Sequence, residues 1–374
     1  MLISVLSRYV ARLLLARVLI LLAGLAALML VLEFLADGDK VIEASDGVVL
    51  PVLRFTLLRL PEILAELLPV TAMLAALLTF ADLSRHSELT AIHAAGISKP
   101  RLAVAVLPVA LLIALGQFVI ADQGVPRAAG ELRAWGIGDH EADEDAPPVS
   151  WLRQGDDILR IGGFGAGAGA LSDVTIFERD AAGNLIAVTA APRAAHRDGR
   201  WLLQDARRSV LASGEIEHHD RLVWAGELAP ALLAAAIAHP RETPLRQLLA
   251  VVRSPGLGTQ PGYRYMLWLQ ERLAAPPTTI AMLLIIVALM RPTEGRAAQG
   301  WLLVLGVAIG FVCWTFDGLV LTLGELGLLP PALAAWTPLA VFAVVAASIM
   351  LQQERGRRAR GRPALVTAPR ASGA

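Results

Sequence analysis

Three side chains in one short stretch, RHSELTAIHAAGIS, are of the types that bind metal ions: His86, Glu88 and His93. Imidazole nitrogens and a carboxylate form zinc sites when three of them converge on one point. On a helix, His86 and His93 lie two turns apart, and Glu88 points to a different face. The spacing therefore disfavours a metal site and favours solvated or partner-facing side chains.

Motifs for nucleotide or peptide-bond chemistry are absent. The two lysines, Lys40 and Lys99, lie outside any G-x-x-x-x-G-K-[ST] phosphate loop, and neither H-E-x-x-H nor G-x-S-x-G occurs. The single cysteine, Cys313, excludes a disulfide framework and a multi-cysteine metal site. We therefore predict no enzyme active site and no cofactor of the chain's own, so any work it does needs an external energy source.

The composition is that of a membrane protein. The chain has 374 residues, of which 56% are hydrophobic and 18% charged, with a mean hydropathy of +0.59. Soluble domains carry about 25% charged residues. Zero net charge argues against nucleic acid as a partner. Since a helix needs about 20 apolar residues to cross a bilayer, the sequence predicts six spans, at about 13–35, 62–82, 101–121, 269–290, 297–323 and 331–351.

The basic residues of the short loops predict the orientation. Most of them fall on the side that carries both termini and residues 82–101, whereas the other short loops hold only Lys40, Arg54 and Arg59. Because short cytoplasmic loops are enriched in Arg and Lys, we expect both termini to be cytoplasmic. The expected parts are a transmembrane half (1–121), an outer domain (122–265), a second transmembrane half (266–352) and a basic, disordered tail (353–374).

The outer segment reads as an all-β domain. SDVTIFERD, LIAVTA, WLLQDA and RLVWAG alternate in mixed phases, and the glycines of AAGN and RDGR suit hairpin turns. This pattern favours a two-sheet sandwich or jelly roll. TPLRQLLAVV, at 243–252, has apolar residues at helical spacing and predicts an amphipathic helix, either at the membrane surface or as a plain connector.

A short polar helix is predicted at 84–96, between the second and third spans. Ser84 or Ser87 can cap its start, Glu88 suits the helix dipole, and Gly96 suits the left-handed position after its end. Leu89, Ile92 and Ala95 form an apolar stripe. A helix held this closely between two spans could receive force from a separate ATPase, or could be a connector packed on its own bundle.

The order of motifs resembles the LptF/LptG family of lipopolysaccharide-export permeases. Its signature, Ser-Glu-Leu followed by Ala-(Ala/Ser)-Gly, is matched by LSRHSELTAIHAAGIS. Four further stretches also match, and all five occur in the family order. LSRYVARLLL precedes the signature, and SDVTIFERDAAGNLIAVTAA, YMLWLQERLAAPPTTI and LPPALAAWTPL come after it. The resemblance implies six membrane helices in a 3+3 arrangement, with a periplasmic β-jelly-roll domain inserted between the halves, in the bacterial inner membrane.

The same resemblance implies partners and sites. The partners would be lipopolysaccharide, a second LptF/LptG-type permease, a single-span jelly-roll subunit and two copies of a cytoplasmic ATPase, which uses the ATP. The residues that match the ATPase-coupling segment are Ser87, Glu88, Leu89, Ile92 and Gly96. Arg133 matches a basic position of relatives and is the first candidate for a lipopolysaccharide phosphate contact, followed by Arg127 and Lys40.

One position departs from the family pattern. Relatives can carry a lysine near the outer end of the first helix, where this chain has Glu33. A carboxylate there repels phosphates unless a divalent ion or Arg133 intervenes. Inside the jelly roll, Ile176, Ile186 and Leu202 are candidates to line an acyl-chain path, or are simply core.

Two other functions remain open from the sequence. A membrane scaffold whose β domain binds a periplasmic partner would have the same composition. Another ATPase-coupled permease, such as a lipoprotein-releasing one, would have the same kind of cytoplasmic helix, although a 3+3 division of spans disfavours it.

Overall fold

Long apolar helices form most of the chain. The computed structural model describes residues 2–43, 49–135, 150–164, 169–180, 182–197, 199–224, 229–254, 257–289 and 296–360, and the structural statements below refer to these. The helices are α1 (Leu2–Glu43), α2 (Val49–Arg85), α3 (Glu88–Ala94), α4 (Lys99–Val119), α5 (Val125–Trp135), α6 (Pro230–Ile237), α7 (Leu245–Arg253), α8 (Gly262–Leu289), α9 (Arg296–Glu325) and α10 (Pro331–Arg360). Among the described residues, six helices are long and apolar enough to cross a membrane, as predicted.

Several boundaries differ from the sequence-based ones. A π-helical segment, Ile120–Gly124, joins α4 to α5, so the boundary expected at 121 falls within a continuous helix that ends at Trp135. The helix α10 continues to Arg360, so the first residues of the tail expected at 353 are helical; residues 361–374 lie outside the described part. Polar residues can continue a helix once its apolar part is anchored, because little propensity is needed to extend a formed helix.

The core of the bundle is formed by α1, α2, α4 and α8. On α1, Val10, Leu14 and Val18 recur every fourth residue and are buried. The facing helices contribute small and aliphatic side chains, among them Ala72, Ala76, Leu77, Val106, Ala110, Leu283 and Ile286. Since lipid is as apolar as these side chains, close packing stabilises the association. Because α8 packs on both α2 and α4, the two halves of the chain form one bundle.

The inserted β domain is one antiparallel sheet. Its strands are β1 (Ser150–Gln154), β2 (Asp157–Phe164), β3 (Ala170–Arg179), β4 (Leu185–Arg197), β5 (Arg200–Val210) and β6 (Ile216–Trp224), and they pair in chain order. The β domain is confirmed, but its described strands do not divide into the two sheets that mixed alternation had indicated. The phase changes because Asp173 and Asp205 have positive φ angles of 49° and 52° inside β3 and β5.

This backbone irregularity decides which side chains face the core. Because of it, Leu171 and Val174 are both buried although they lie three residues apart. Of the three candidates for the interior, only Ile176 belongs to the buried face. Leu202 lies between the buried Trp201 and Leu203 and so points to the opposite face, and Ile186 is 44% exposed. The assignment of Ile186 and Leu202 to the interior is therefore wrong.

Helices close the buried face of the sheet. Leu233 of α6, Leu248 and Val251 of α7, and Tyr265 and Trp268 at the start of α8 share one apolar cluster with the strands. The amphipathic helix predicted at 243–252 is present as α7, but its apolar face packs against protein. This excludes the interpretation in which that face lies on the membrane surface.

Candidate functional site

The end of α3 has the geometry that its glycine predicts. Gly96 has a φ of 81°, and its N–H donates to the carbonyl of His93 at 3.1 Å. The N–H of Ile97 reaches back to the carbonyl of Ile92 at 3.3 Å. These two bonds form a Schellman motif, which ends the helix at Ala94 and satisfies its last carbonyls. Only residues 95–98 lie between α3 and α4.

The start of α3 differs from the prediction. Ser87 has a φ of 60° and its side chain makes no capping hydrogen bond. A capping side chain needs an extended backbone at that position to reach the next N–H groups. The left-handed conformation of Ser87 instead turns the chain sharply from α2 into α3. Ser87 is thus a turn residue, and its capping role is a wrong prediction.

The apolar stripe of α3 faces the bundle. Leu89 is 0% exposed and belongs to the same cluster as Leu83 and Leu102 of the neighbouring helices. The Leu89 side chain therefore packs within the chain's own bundle and is not exposed for a direct contact with a partner protein. Ile92 is half-buried, whereas Thr90 and Ala91 are exposed on the outward side. Leu89 fixes α3 to the bundle and leaves a surface of small residues outside.

Two polar contacts tie this segment to α1. The Tyr9 hydroxyl donates to the Glu88 carboxylate (Oη to Oε2, 2.9 Å). The Arg17 guanidinium forms an ion pair with Asp82 at 2.6 Å, and His86 Nδ1 lies 3.3 Å from the same carboxylate. The sequence signal for the second contact was Arg17 itself, because a charge within an apolar span usually has a partner. No sequence signal marked Tyr9 as a partner of Glu88.

The two histidines of this segment lie close to oxygen atoms of the chain itself. Among the described residues, no three His, Cys, Asp or Glu side chains are close enough to hold an ion. His86 is instead directed to Asp82, and His93 Nδ1 lies 3.0 Å from the carbonyl of Ile97.

The other candidate site lies at the opposite end of the bundle, beside the β domain. Arg127, on α5, is exposed and donates to the carbonyl of Gln123 at 3.0 Å. Arg133 and Lys40 lie on α5 and α1, but their side chains are outside the described part of the chain. Arg54, which the sequence analysis used only for orientation, stacks its guanidinium 4.7 Å from the ring centre of Trp135.

Glu33, at a position where relatives can carry a lysine, forms an ion pair in the structure. Its carboxylate lies 3.5 Å from Arg59 Nε of α2, and Arg59 also bonds Glu62 at 2.9 Å. Among the described residues, Arg59 is a cation beside Glu33, and sequence spacing gave no reason to choose it over Arg133. This pair connects α1 to α2 at the β-domain end of both helices.

Comparison with known proteins agrees with this architecture. The family model described as lipopolysaccharide export system permease LptF/LptG matches residues 8–352. The lipopolysaccharide export system permease protein LptG of Haemophilus influenzae is 23% identical over 353 residues, covering 92% of this chain and 97% of that protein. LptG of Escherichia coli K12 is 23% identical over 360 residues, covering 94% and 99%. Both of these relatives are named LptG. With its six apolar helices, the chain is an integral inner-membrane protein and belongs to the LptF/LptG family of lipopolysaccharide export system permeases.

Proposed function

We propose that the chain is a permease subunit of an ATP-driven exporter, which extracts lipopolysaccharide from the inner membrane and passes it through the β domain toward the outer membrane. Both termini and α3 face the cytoplasm, and the β domain is periplasmic. The observation that carries the proposal is the attachment of α3, which is bound tightly to two spanning helices and still has an exposed outer side.

This attachment allows α3 to transmit force to the membrane helices. The turn at Ser87 joins α3 to α2 and the Schellman motif at Gly96 joins it to α4, so both connections are short and have a defined backbone conformation. Leu89 is buried in the bundle core. A force on the exposed side of α3 therefore displaces α2 and α4 together. Two copies of a cytoplasmic ATPase would supply that force through ATP hydrolysis.

Glu88 is the residue that we assign to the ATPase contact. Its carboxylate has one bond from Tyr9, which leaves acceptor capacity for a donor on the partner. Ser87 and Ile92 would flank this contact, while the buried Leu89 holds α3 on the bundle and Gly96 ends the helix.

Lipopolysaccharide combines anionic phosphates with several acyl chains. The cations at the β-domain end, Arg133, Arg127 and Lys40, would contact the phosphates, and we add Arg54 to this set because it lies beside α5. The β domain would pass the acyl chains on, although its apolar face, with Val174, Ile176 and Leu203, is packed against α6, α7 and α8 in this structure. A second permease of the family and a single-span jelly-roll subunit would complete the complex.

The replacement Glu88→Ala tests the coupling role. We expect normal membrane insertion, but loss of ATPase co-purification and of lipopolysaccharide export. Glu131→Ala is the matched control, because Glu131 is an exposed helical glutamate at the opposite end of the bundle. Affinity purification from native membranes gives the readout. Full export and undiminished ATPase binding in Glu88→Ala would contradict the assignment.

Thiol labelling tests the orientation. In a Cys313→Ala background, Thr90→Cys on α3 and Ser213→Cys in the β5–β6 turn are both exposed positions. A membrane-impermeant maleimide should label position 213, and not position 90, in cells with a permeabilised outer membrane. Inverted vesicles should give the reverse. Labelling of position 90 from the periplasm would refute the proposed function, since α3 could not then meet a cytoplasmic ATPase.

A further inference from the structure

Four segments meet in one polar contact at the β-domain end of the bundle. Asp122 of the π-helical segment accepts a hydrogen bond from the N–H of Leu245, the first residue of α7, at 2.6 Å. Arg272 of α8 donates to the carbonyls of Ala121 and Arg241. We call this contact, formed by Asp122, Leu245, Arg272 and the two carbonyls, the Asp122–Arg272 joint.

Arg272 is an unusual group to find in this place. It is only 7% exposed within a spanning helix, and a buried guanidinium is costly unless its donors are satisfied. Nη2 donates to the Arg241 carbonyl at 2.6 Å, while Nη1 donates to the Ala121 carbonyl. The negative charge of Asp122 also acts on it. One side chain therefore holds α8 to the π-helical segment after α4 and to the 3₁₀ turn Pro240–Glu242 before α7.

Asp122 supplies a helix cap from outside the helix. The residue that precedes α7 is Pro244, which has no side-chain acceptor, so the first N–H of α7 needs another partner. That partner lies 123 residues earlier in the chain. The π-helical segment that carries Asp122 is a local widening of the helix, and such segments are frequent at functional sites.

The Asp122–Arg272 joint connects α3, by way of α4, to the β domain. α4 starts directly after the Schellman motif of α3 and ends at the π-helical segment that carries Asp122. On the other side of the joint, Leu248 and Val251 of α7 are buried in the core of the sheet. A rigid path thus leads from α3 through α4 and Asp122 to α7 and the β strands.

We infer that Asp122 and Arg272 are positioning residues that transmit the movement of α4 to the β domain. The inference rests on the proposed function, since it assumes that α3 receives the force. Asp122 pushes or pulls α7 through its first turn, and Arg272 keeps α4 and α8 together while this happens. Without the joint, ATP hydrolysis still moves the membrane helices, but the β domain no longer follows.

The test measures coupling as the amount of lipopolysaccharide passed from proteoliposomes to a periplasmic acceptor protein per ATP hydrolysed. For Asp122→Ala in the complete complex, we expect ATPase association and hydrolysis as in the wild type. The lipid-to-ATP ratio should fall about fivefold or more, the range of ordinary allosteric coupling. In the same variant, hydrogen exchange at the Leu245 amide should become faster.

Thr279→Val is the matched control. The Thr279 hydroxyl donates to Gln117 at 2.7 Å, so this change also removes a buried polar link between α4 and α8, but it does not involve α7. It should leave the lipid-to-ATP ratio unchanged. Asp122→Asn retains the acceptor for the Leu245 amide and should restore most of the ratio.

Leu245→Pro tests the bond from its other side if Asp122→Ala fails to fold. Proline is well tolerated at the first position of a helix, where its backbone lacks only the N–H. Leu245→Pro should lower the ratio as Asp122→Ala does, whereas Leu245→Ala, which loses the partly buried side chain but keeps the N–H, should not. An unchanged ratio in the variant that folds, or an equal fall in Thr279→Val, overturns the inference. If the wild-type complex itself passes no lipid in response to ATP, the proposed function fails instead.

Discussion

The packing of α9 on α2 allows a sharp test of how the two transmembrane halves are held together. Gly306 and Gly310 lie one turn apart on α9, and Gly318 lies two turns further on the same helix. A Cβ on Gly306 would be 2.2 Å from Cδ1 and 3.1 Å from Cγ of Leu77, a fully buried side chain of α2. On Gly310 it would be 1.9 Å from the terminal methyl of Met73.

The three alanine replacements should therefore rank in a definite order. Gly318→Ala has nothing within 4 Å and should gain the helix propensity of alanine, about 0.5–1 kcal/mol. Gly310→Ala meets only the far end of a flexible methionine, which can adopt another rotamer. Gly306→Ala meets the branch point of a packed leucine, and overpacking of this kind costs about 1–3 kcal/mol. Unfolding free energy should thus decrease from Gly318→Ala through Gly310→Ala to Gly306→Ala.

Unfolding of the purified chain in mixed detergent micelles, followed by tryptophan fluorescence, measures these differences. Leu77→Ala should relieve the overlap, so the double variant with Gly306→Ala should be more stable than the two single changes predict by about 1 kcal/mol or more. If Gly306→Ala is as stable as Gly318→Ala, or if the double variant is simply additive, then α9 does not pack on α2 through this glycine.

Further replacements test individual contacts. Gly96→Ala should lose about 1–2 kcal/mol because alanine disfavours a φ of 81°, whereas Gly116→Ala, in open helical space, should lose nothing in the same unfolding assay. Arg59→Met should cost about 1–3 kcal/mol because it removes the ion pair with Glu33, and adding Glu33→Gln should restore part of the loss. Equal stability of the single and the double variant would refute the pairing. The pKa of Asp180 is below its ordinary value because the Asn184 side chain and nearby backbone N–H groups donate to its carboxylate. Its stabilising effect is present above the unfolded-state pKa and disappears as pH falls through the lower folded-state pKa, so Asp180→Asn should show a smaller acid-induced drop in unfolding temperature.

Local sequence patterns were sufficient to predict the helices and strands that position the candidate site. The length of each apolar run predicted six spanning helices, because hydrocarbon thickness sets that length independently of neighbours. Gly96 predicted the end of α3, since only glycine adopts a left-handed conformation without steric cost. The alternation in the outer segment predicted strands, but it indicated two sheets where the described strands form one, because the positive φ values of Asp173 and Asp205 cannot be read from residue type.

The direction in which individual side chains point was harder to predict from the sequence. Leu89 and Ile92 share a stripe in the sequence, yet only the structure separates the buried residue from the half-buried one. The amphipathic pattern of α7 predicted a helix with one apolar face and could not say whether lipid or protein covers it. In both cases periodicity identifies a face, whereas the packing of other helices decides what lies against it.

The sequence by itself determined the class of protein, the order of its elements and its family, because span length, helix ends and turn residues depend on the chain nearby. Tertiary structure alone decided the partners of the charged and polar groups: Tyr9 with Glu88, Arg59 with Glu33, and Asp122 with the start of α7. These partners come from segments separated by as many as 123 residues. No local sequence pattern predicts these contacts. They form because the packing of the helices brings residues that are distant in the chain close together in space.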